Sequence, residues 1–143
     1  MKAAVLDASV IVKWLPPIGN ELLADRARVL LFQWMNAELE LAVPDVMAAE
    51  VANVLWKGVR QHRCTAEQAK TSIRLLLAHK LRVFRCEDVL QDALDIAVEQ
   101  RRTVYDSIYV ALARELRTDL ITADEKLANA LAGRFPVRWL GSL

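Results

Sequence analysis

Four acidic side chains have the residue type that metal-dependent chemistry needs: Asp7, Glu50, Asp106 and Asp124. If folding brings them to one place, each pair about 5 Å apart repels by about 3 kcal/mol at an effective dielectric constant of about 20. Protonation or bound cations must relieve that repulsion. Oxygen ligands without histidine or cysteine favour a hard cation, so we expect Mg²⁺, with Mn²⁺ as a substitute. The corresponding chemistry is metal-assisted hydrolysis of phosphodiester bonds.

Three of these carboxylates also fit ordinary roles at helix starts. Asp7 could cap the helix predicted after it, and Thr103-x-x-Asp106 has the pattern of a capping box. Residues 122–125 have the same pattern, which places Asp124 in a favourable first turn. Taken one at a time, the structural roles are favoured. The catalytic interpretation depends on convergence of the four side chains.

Glu50 is harder to explain as a structural residue. Val46 and Val54 lie four residues to either side of it, which places Glu50 on or beside the apolar stripe of a predicted helix. An unpaired charge there costs several kcal/mol. Glu50 therefore needs a partner, a cation or a wet crevice, unless it extends from the helix edge to solvent.

Length and composition restrict the class of protein. The chain has 143 residues, of which 55% are hydrophobic and 26% charged, so we expect one domain over residues 1–143. The formal net charge of +1 excludes a global basic field for nucleic acid or membrane. The first apolar run stops at Asp7, and no window resembles a membrane span, so a cytoplasmic protein without a membrane partner is expected. No dinucleotide fingerprint, P-loop or nucleophile elbow is present in the sequence.

Short apolar runs alternate with amphipathic stretches along the whole chain, which is typical of an α/β fold. We predict a mainly parallel sheet of about five strands between two helical layers, with functional residues at the carboxyl ends of the strands. The predicted strands are residues 2–6, 40–43, 81–84, 119–122 and 137–140. The predicted helices are residues 8–14, 21–36, 45–60, 65–79, 87–100, 105–116 and 124–132.

One predicted helix carries an acidic stripe, which we interpret as its solvated face. The stripe consists of Asp88, Asp92, Asp95 and Glu99. The opposite face, expected to be buried, consists of Leu90, Ala93, Leu94 and Ala97.

Four segments, in this order, resemble the motifs of the PIN-domain ribonucleases, and the VapC-type toxins of toxin–antitoxin pairs in particular. They are residues 5–14, 44–55, 105–113 and 120–127. The resemblance implies a three-layer α/β/α fold and an acidic pocket that binds a divalent metal and cleaves RNA. Residues 16–20 depart from the acidic stretch that often follows Lys-Trp in this family.

The resemblance also assigns roles to individual residues. Asp7 and Asp106 correspond to direct metal ligands, while Glu50 and Asp124 complete the pocket. Hydroxyls that orient the ligands are expected from Ser9 and Thr122. Candidates for contacts with RNA phosphates are Arg60, Arg63, Arg101 and Arg102.

The implied partners are an RNA substrate, a cognate antitoxin and a second copy of the chain. The apolar fraction exceeds that of typical soluble domains, so apolar side chains beyond those of the core are available for such interfaces. One alternative is a haloacid-dehalogenase-like phosphatase, although Ser9 stands where those enzymes usually carry a second Asp. The other is a PIN-like module that binds RNA or protein without catalysis.

Overall fold

A parallel sheet forms the centre of the molecule. This computed structural model describes residues 2–16 and 22–143, and within them the sheet has five strands. The strands are β1 (Lys2–Leu6), β2 (Leu39–Pro44), β3 (Arg82–Phe84), β4 (Asp119–Thr122) and β5 (Val137–Trp139). Their spatial order is β3-β2-β1-β4-β5, and all neighbours are parallel. The predicted sheet is thereby confirmed.

The same stretches of chain contain seven α-helices, of which α1 is followed and α5 preceded by a 3₁₀ turn. They are α1 (Ala8–Ile11), α2 (Ala24–Met35), α3 (Met47–Arg60), α4 (Ala66–Ala78), α5 (Leu90–Gln100), α6 (Val104–Glu115) and α7 (Glu125–Leu131). The predicted start of the second helix and most of the divergent segment at residues 16–20 fall on residues 17–21, outside the described residues. None of the described helices is both long and apolar enough to cross a membrane.

The helices cover both faces of the sheet. The connections from β1 to β2 and from β2 to β3 lead toward the β3 edge of the sheet. Those from β3 to β4 and from β4 to β5 lead toward the β5 edge. Because such connections are right-handed, α1 to α4 lie on one face and α5 to α7 on the other. The core between the layers includes Val5, Leu6 and Leu120, which are fully buried. This confirms the three-layer α/β/α architecture.

The third helix begins later than the sequence indicates. Pro44 ends β2, and α3 starts at Met47 rather than at residue 45. Asp45 does not cap the helix, because its Oδ1 accepts the backbone N–H of Cys86 at 3.0 Å. The carboxylate therefore links the end of β2 to the segment that follows β3.

The buried face of α5 also differs from the prediction. Ala93 and Ala97 are buried as expected, together with Ile96. Leu90 and Leu94 are instead 42% and 54% exposed. The sequence shows two apolar stripes on this helix, and the prediction that Leu90 and Leu94 belong to the buried one was wrong.

Candidate active site

The carboxyl ends of β1 and β4 form the switch point of the sheet. The chain leaves these neighbouring strands in opposite directions, so a crevice opens between their ends. Asp7 directly follows β1, and Asp124 lies two residues beyond the end of β4. The backbone N–H of Asp7 donates to the carbonyl oxygen of Ile121 at 3.0 Å. The sheet itself therefore brings two predicted site residues to one edge.

Two hydroxyls hold the side chain of Asp7. Its Oδ2 accepts hydrogen bonds from the hydroxyls of Ser9 at 2.6 Å and Thr122 at 2.9 Å. The Ser9 oxygen also accepts the backbone N–H of Ala123 at 3.0 Å. Asp7 occupies the N-cap position of α1, as predicted, but its side chain makes no capping hydrogen bond to that helix. Ser9 and Thr122 instead orient its carboxylate.

Asp124 caps the helix that follows β4. Its Oδ1 accepts the backbone N–H of Leu127 at 3.1 Å. The predicted capping box over residues 122–125 is not the arrangement found, because the buried Thr122 hydroxyl accepts the backbone N–H of Asp124 at 3.1 Å. Asp124 is exposed at the crevice and has a structural role at the start of α7.

Glu50 lies in the first turn of α3 and is half-buried. Its Oε1 accepts a hydrogen bond of 2.6 Å from the hydroxyl of Tyr109, a residue of α6 with 1% of its surface exposed. Tyr109 is not among the site residues expected from the sequence. The available signal was its position three residues after Asp106, which places both on one side of α6.

Asp106 lies in the first turn of α6. The Thr103 hydroxyl accepts the backbone N–H of Asp106 at 3.1 Å, which confirms the predicted cap at this helix start. The half-buried Asp106 carboxylate is electrostatically coupled to Arg102, which precedes the helix. The cap therefore fixes the start of α6 and leaves the carboxylate for interactions across the crevice.

Burial raises the pKa of three of the four carboxylates. For Asp7 the hydrogen bonds from its two hydroxyl partners oppose this effect, and the charge of Asp106 adds to it. For Glu50 the charges of Asp7 and Asp106 raise the pKa further. For Asp106 the charge of Asp124 raises the pKa, whereas Arg102 lowers it. Folding has therefore placed Asp7, Glu50 and Asp106 within electrostatic reach of one another, and Asp124 within reach of Asp106.

Residues 4–131 match the PIN domain family. This chain belongs to the PIN domain family. The PIN domain is 35% identical over 127 residues to Ribonuclease VapC3 of Pyrobaculum aerophilum, covering 87% of this chain and 92% of that protein. It is 28% identical over 108 residues to Exonuclease VapC9 of the same organism, covering 76% of this chain and 80% of that protein. The haloacid-dehalogenase-like alternative is thereby set aside.

The fold of this PIN domain is also that of a solved toxin–antitoxin complex from Klebsiella pneumoniae. The two chains superpose with a TM-score of 0.64 at 18% sequence identity. The superposition covers 94% of this chain and 95% of the other. At that identity the similarity shows the shared fold.

The donor set of the PIN domain fits a hard cation, since all four carboxylates offer oxygen. Burial and neighbouring negative charges also raise the pKa values of Asp7, Glu50 and Asp106 and so disfavour their charged forms. Among residues 2–16 and 22–143, however, no three acidic, histidine or cysteine side chains form a preformed metal cluster. Asp7, Glu50 and Asp124 are instead held by separate hydrogen-bond donors. Repulsion between neighbouring negative charges favours such separate positions.

The four candidate arginines of the PIN domain fall into two pairs. Arg101 and Arg102 lie between α5 and α6, directly before the helix that carries Asp106. Arg60 ends α3, about 15 Å along the helix axis from Glu50 at 1.5 Å per residue, and its guanidinium lies 4.9 Å from the centre of the Trp56 ring. Arg63 follows the end of α3. The charge of Arg102 therefore reaches the Asp106 carboxylate, whereas Arg60 lies distant from Glu50.

Proposed function

We propose that residues 1–143 form a single domain that hydrolyses RNA phosphodiester bonds as a divalent-metal-dependent endoribonuclease. The observation that carries the proposal is the position of Asp7, at the switch point of the sheet and within electrostatic reach of Glu50 and Asp106. The similarity to a relative named as a ribonuclease supports the choice of RNA. Because all donors are oxygens, Mg²⁺ is the expected cation and Mn²⁺ a substitute.

Each carboxylate has a distinct role in this proposal. Asp7 and Asp106 hold the cation, while Glu50 and Asp124 complete the pocket. Ser9 and Thr122 keep one oxygen of Asp7 occupied and so orient the other. A divalent cation at such a site lowers the pKa of a water and neutralises charge on the scissile phosphate.

Arg101 and Arg102 are the proposed contacts to the RNA backbone. They precede the helix of Asp106, and Arg102 already lowers the pKa of that carboxyl group. A chain with a net charge of +1 has to bind a polyanion through local cations of this kind. Arg60 and Arg63 are proposed only as contacts with distal parts of a long RNA.

A circular RNA tests the proposal because it has no ends for an exonuclease. We expect the purified protein to linearise it with Mg²⁺ or Mn²⁺ and to lose this activity with EDTA. Cleavage confined to linear RNA would instead support exonuclease activity, which the name of one relative suggests. Absence of cleavage on circular, linear and structured RNA would favour a non-catalytic binding module.

We also propose that the protein is a toxin held by a cognate antitoxin. The Klebsiella pneumoniae structure with the same fold is a toxin–antitoxin complex, which supports this partner class. Co-expression with the product of a small neighbouring gene tests it. The expected result is a stable complex whose RNA cleavage is suppressed, and cleavage that stays unchanged in the complex would contradict it.

A second copy of the chain is the proposed partner of α5. Leu90, Leu94 and Val98 form an exposed row at intervals of four residues. When two copies of α5 pack antiparallel about a two-fold axis, Leu94 of one copy meets Leu94 of the other, and Leu90 meets Val98. This self-complementary apolar row supports a homodimer with Leu94 at its centre.

The substitution Leu94→Glu tests this dimer because it places a charge at the centre of the proposed interface. We expect the dissociation constant of the dimer to rise at least about 100-fold, measured by light scattering over a concentration series. Leu77→Glu is the matched control, since Leu77 is 65% exposed but lies on α4. A wild-type monomer at all concentrations, or equal effects of the two substitutions, would contradict the proposal.

A further inference from the structure

Tyr109 is a buried polar group that contacts the candidate site without belonging to the four carboxylates. Its ring packs in the core, and its hydroxyl lies 2.6 Å from Oε1 of Glu50. At neutral pH a phenol keeps its proton, and an ionised carboxylate can only accept hydrogen bonds. The Tyr109 hydroxyl is therefore the donor in this bond. A bond to an ionised acceptor at this length is among the stronger kinds in proteins.

This bond joins the two helices that carry site carboxylates on opposite sides of the crevice. Glu50 lies on α3, and Tyr109 lies on α6 three residues after Asp106. The rigid helix that presents Asp106 therefore also orients the side chain of Glu50. The Tyr109 hydroxyl is thus a donor from α6 to the Glu50 carboxylate on α3.

We propose that Tyr109 is a positioning residue of the nuclease site, holding Oε1 of Glu50 so that Oε2 is available to a divalent cation. The inference rests on the proposed function, because it assigns Glu50 to the metal pocket. The hydroxyl has the same relation to Glu50 that Ser9 and Thr122 have to Asp7, where hydroxyl donors fix one oxygen of a carboxylate. Groups that orient metal ligands in this way typically change metal affinity 10–100-fold when removed.

Binding of Mn²⁺ to the purified chain, followed by electron paramagnetic resonance, tests the inference without an activity assay. We expect Tyr109→Phe to weaken Mn²⁺ binding by about 10–100-fold, because it removes the hydroxyl and keeps the ring. Tyr105→Phe is the matched control, since it removes a hydroxyl from the same helix at a position that is 61% exposed. The control is expected to bind Mn²⁺ like the wild type.

A merely structural role of Tyr109 would lower the thermal stability and leave the Mn²⁺ affinity unchanged. Thermal melts of each variant without metal measure the first effect separately. If Tyr109→Phe does not fold, Tyr109→Met provides a flexible apolar side chain without a hydroxyl and must weaken Mn²⁺ binding to the same extent.

The variant Glu50→Gln separates failure of this inference from failure of the proposed function. We expect it to weaken Mn²⁺ binding, and Tyr109→Phe to add little in the Glu50→Gln background, because both changes act on one interaction. If Glu50→Gln binds Mn²⁺ like the wild type, the assignment of Glu50 to the metal pocket fails. If Glu50→Gln weakens binding and folded Tyr109→Phe does not, the positioning role is overturned and the proposed function stands.

Discussion

Asp7→Asn is expected to reduce RNA cleavage by at least about 100-fold while making the folded protein more stable. The activity falls because a neutral amide replaces the anionic oxygen proposed to hold the cation. The stability rises because burial and the neighbouring Asp106 already disfavour the charged form of Asp7. The amide oxygen of asparagine can still accept the hydrogen bonds from Ser9 and Thr122.

Asp45→Asn is the matched control for this substitution. Asp45 is an exposed carboxylate outside the crevice, and hydrogen bonds with Cys86 lower its pKa below the ordinary value. The folded state therefore favours the charged form, and substitution is expected to reduce stability slightly and leave RNA cleavage unchanged. The two variants are thus expected to have opposite effects on stability.

Cleavage rates at saturating Mg²⁺ and urea unfolding at neutral pH measure both effects. We expect the free energy of unfolding of Asp7→Asn to exceed that of the wild type by about 1 kcal/mol. Full activity in Asp7→Asn would remove Asp7 from the proposed mechanism. Loss of both stability and activity would indicate that Asp7 has a structural role.

Stability without metal is expected to fall as the pH rises above the ordinary carboxyl pKa values of 3.8 and 4.5. In the folded state the pKa values of Asp7, Glu50 and Asp106 are raised. At intermediate pH the folded state therefore binds more protons than the unfolded state. The stabilising contribution is complete below the unfolded-state pKa values and is lost as the pH passes through the folded-state values.

Urea denaturation from about pH 4.5 to about pH 7.5 tests this dependence. The triple variant Asp7→Asn, Glu50→Gln, Asp106→Asn is expected to lose most of the decline, because its side chains do not titrate. Mg²⁺ is expected to stabilise the wild type more at the upper end of this range, since metal ligands must be deprotonated. Equal pH slopes in the wild type and the triple variant would contradict the raised pKa values.

Local sequence patterns predicted many features of the fold. Residues 119–122 form β4 as expected, and the helix predicted over residues 65–79 is α4, which begins with a capping box at Thr65. Such features can be predicted from the sequence because strand periodicity and helix caps depend on residues close in the chain. The positions of Asp7 and Asp124 after strands could be predicted for the same reason, once a parallel sheet was assumed.

The interactions of those residues depend on tertiary structure. Thr122 is 115 residues from Asp7 in the sequence, and Tyr109 is 59 residues from Glu50, yet each pair forms a direct hydrogen bond. No local pattern specifies which donor a carboxylate meets across a crevice. The pairing of β1 with β4 decides the first contact, and the packing of α6 against the sheet decides the second.

The sequence by itself determined the alternation of strands and helices and the four acidic positions, because both follow from the types and spacing of residues that are close in the chain. Only the tertiary structure decided that Tyr109 holds Glu50 and that Leu94 stays exposed while Ile96 is buried. A helix with two apolar stripes can bury either, and the stripe that contacts its neighbours in the fold is the one that becomes core.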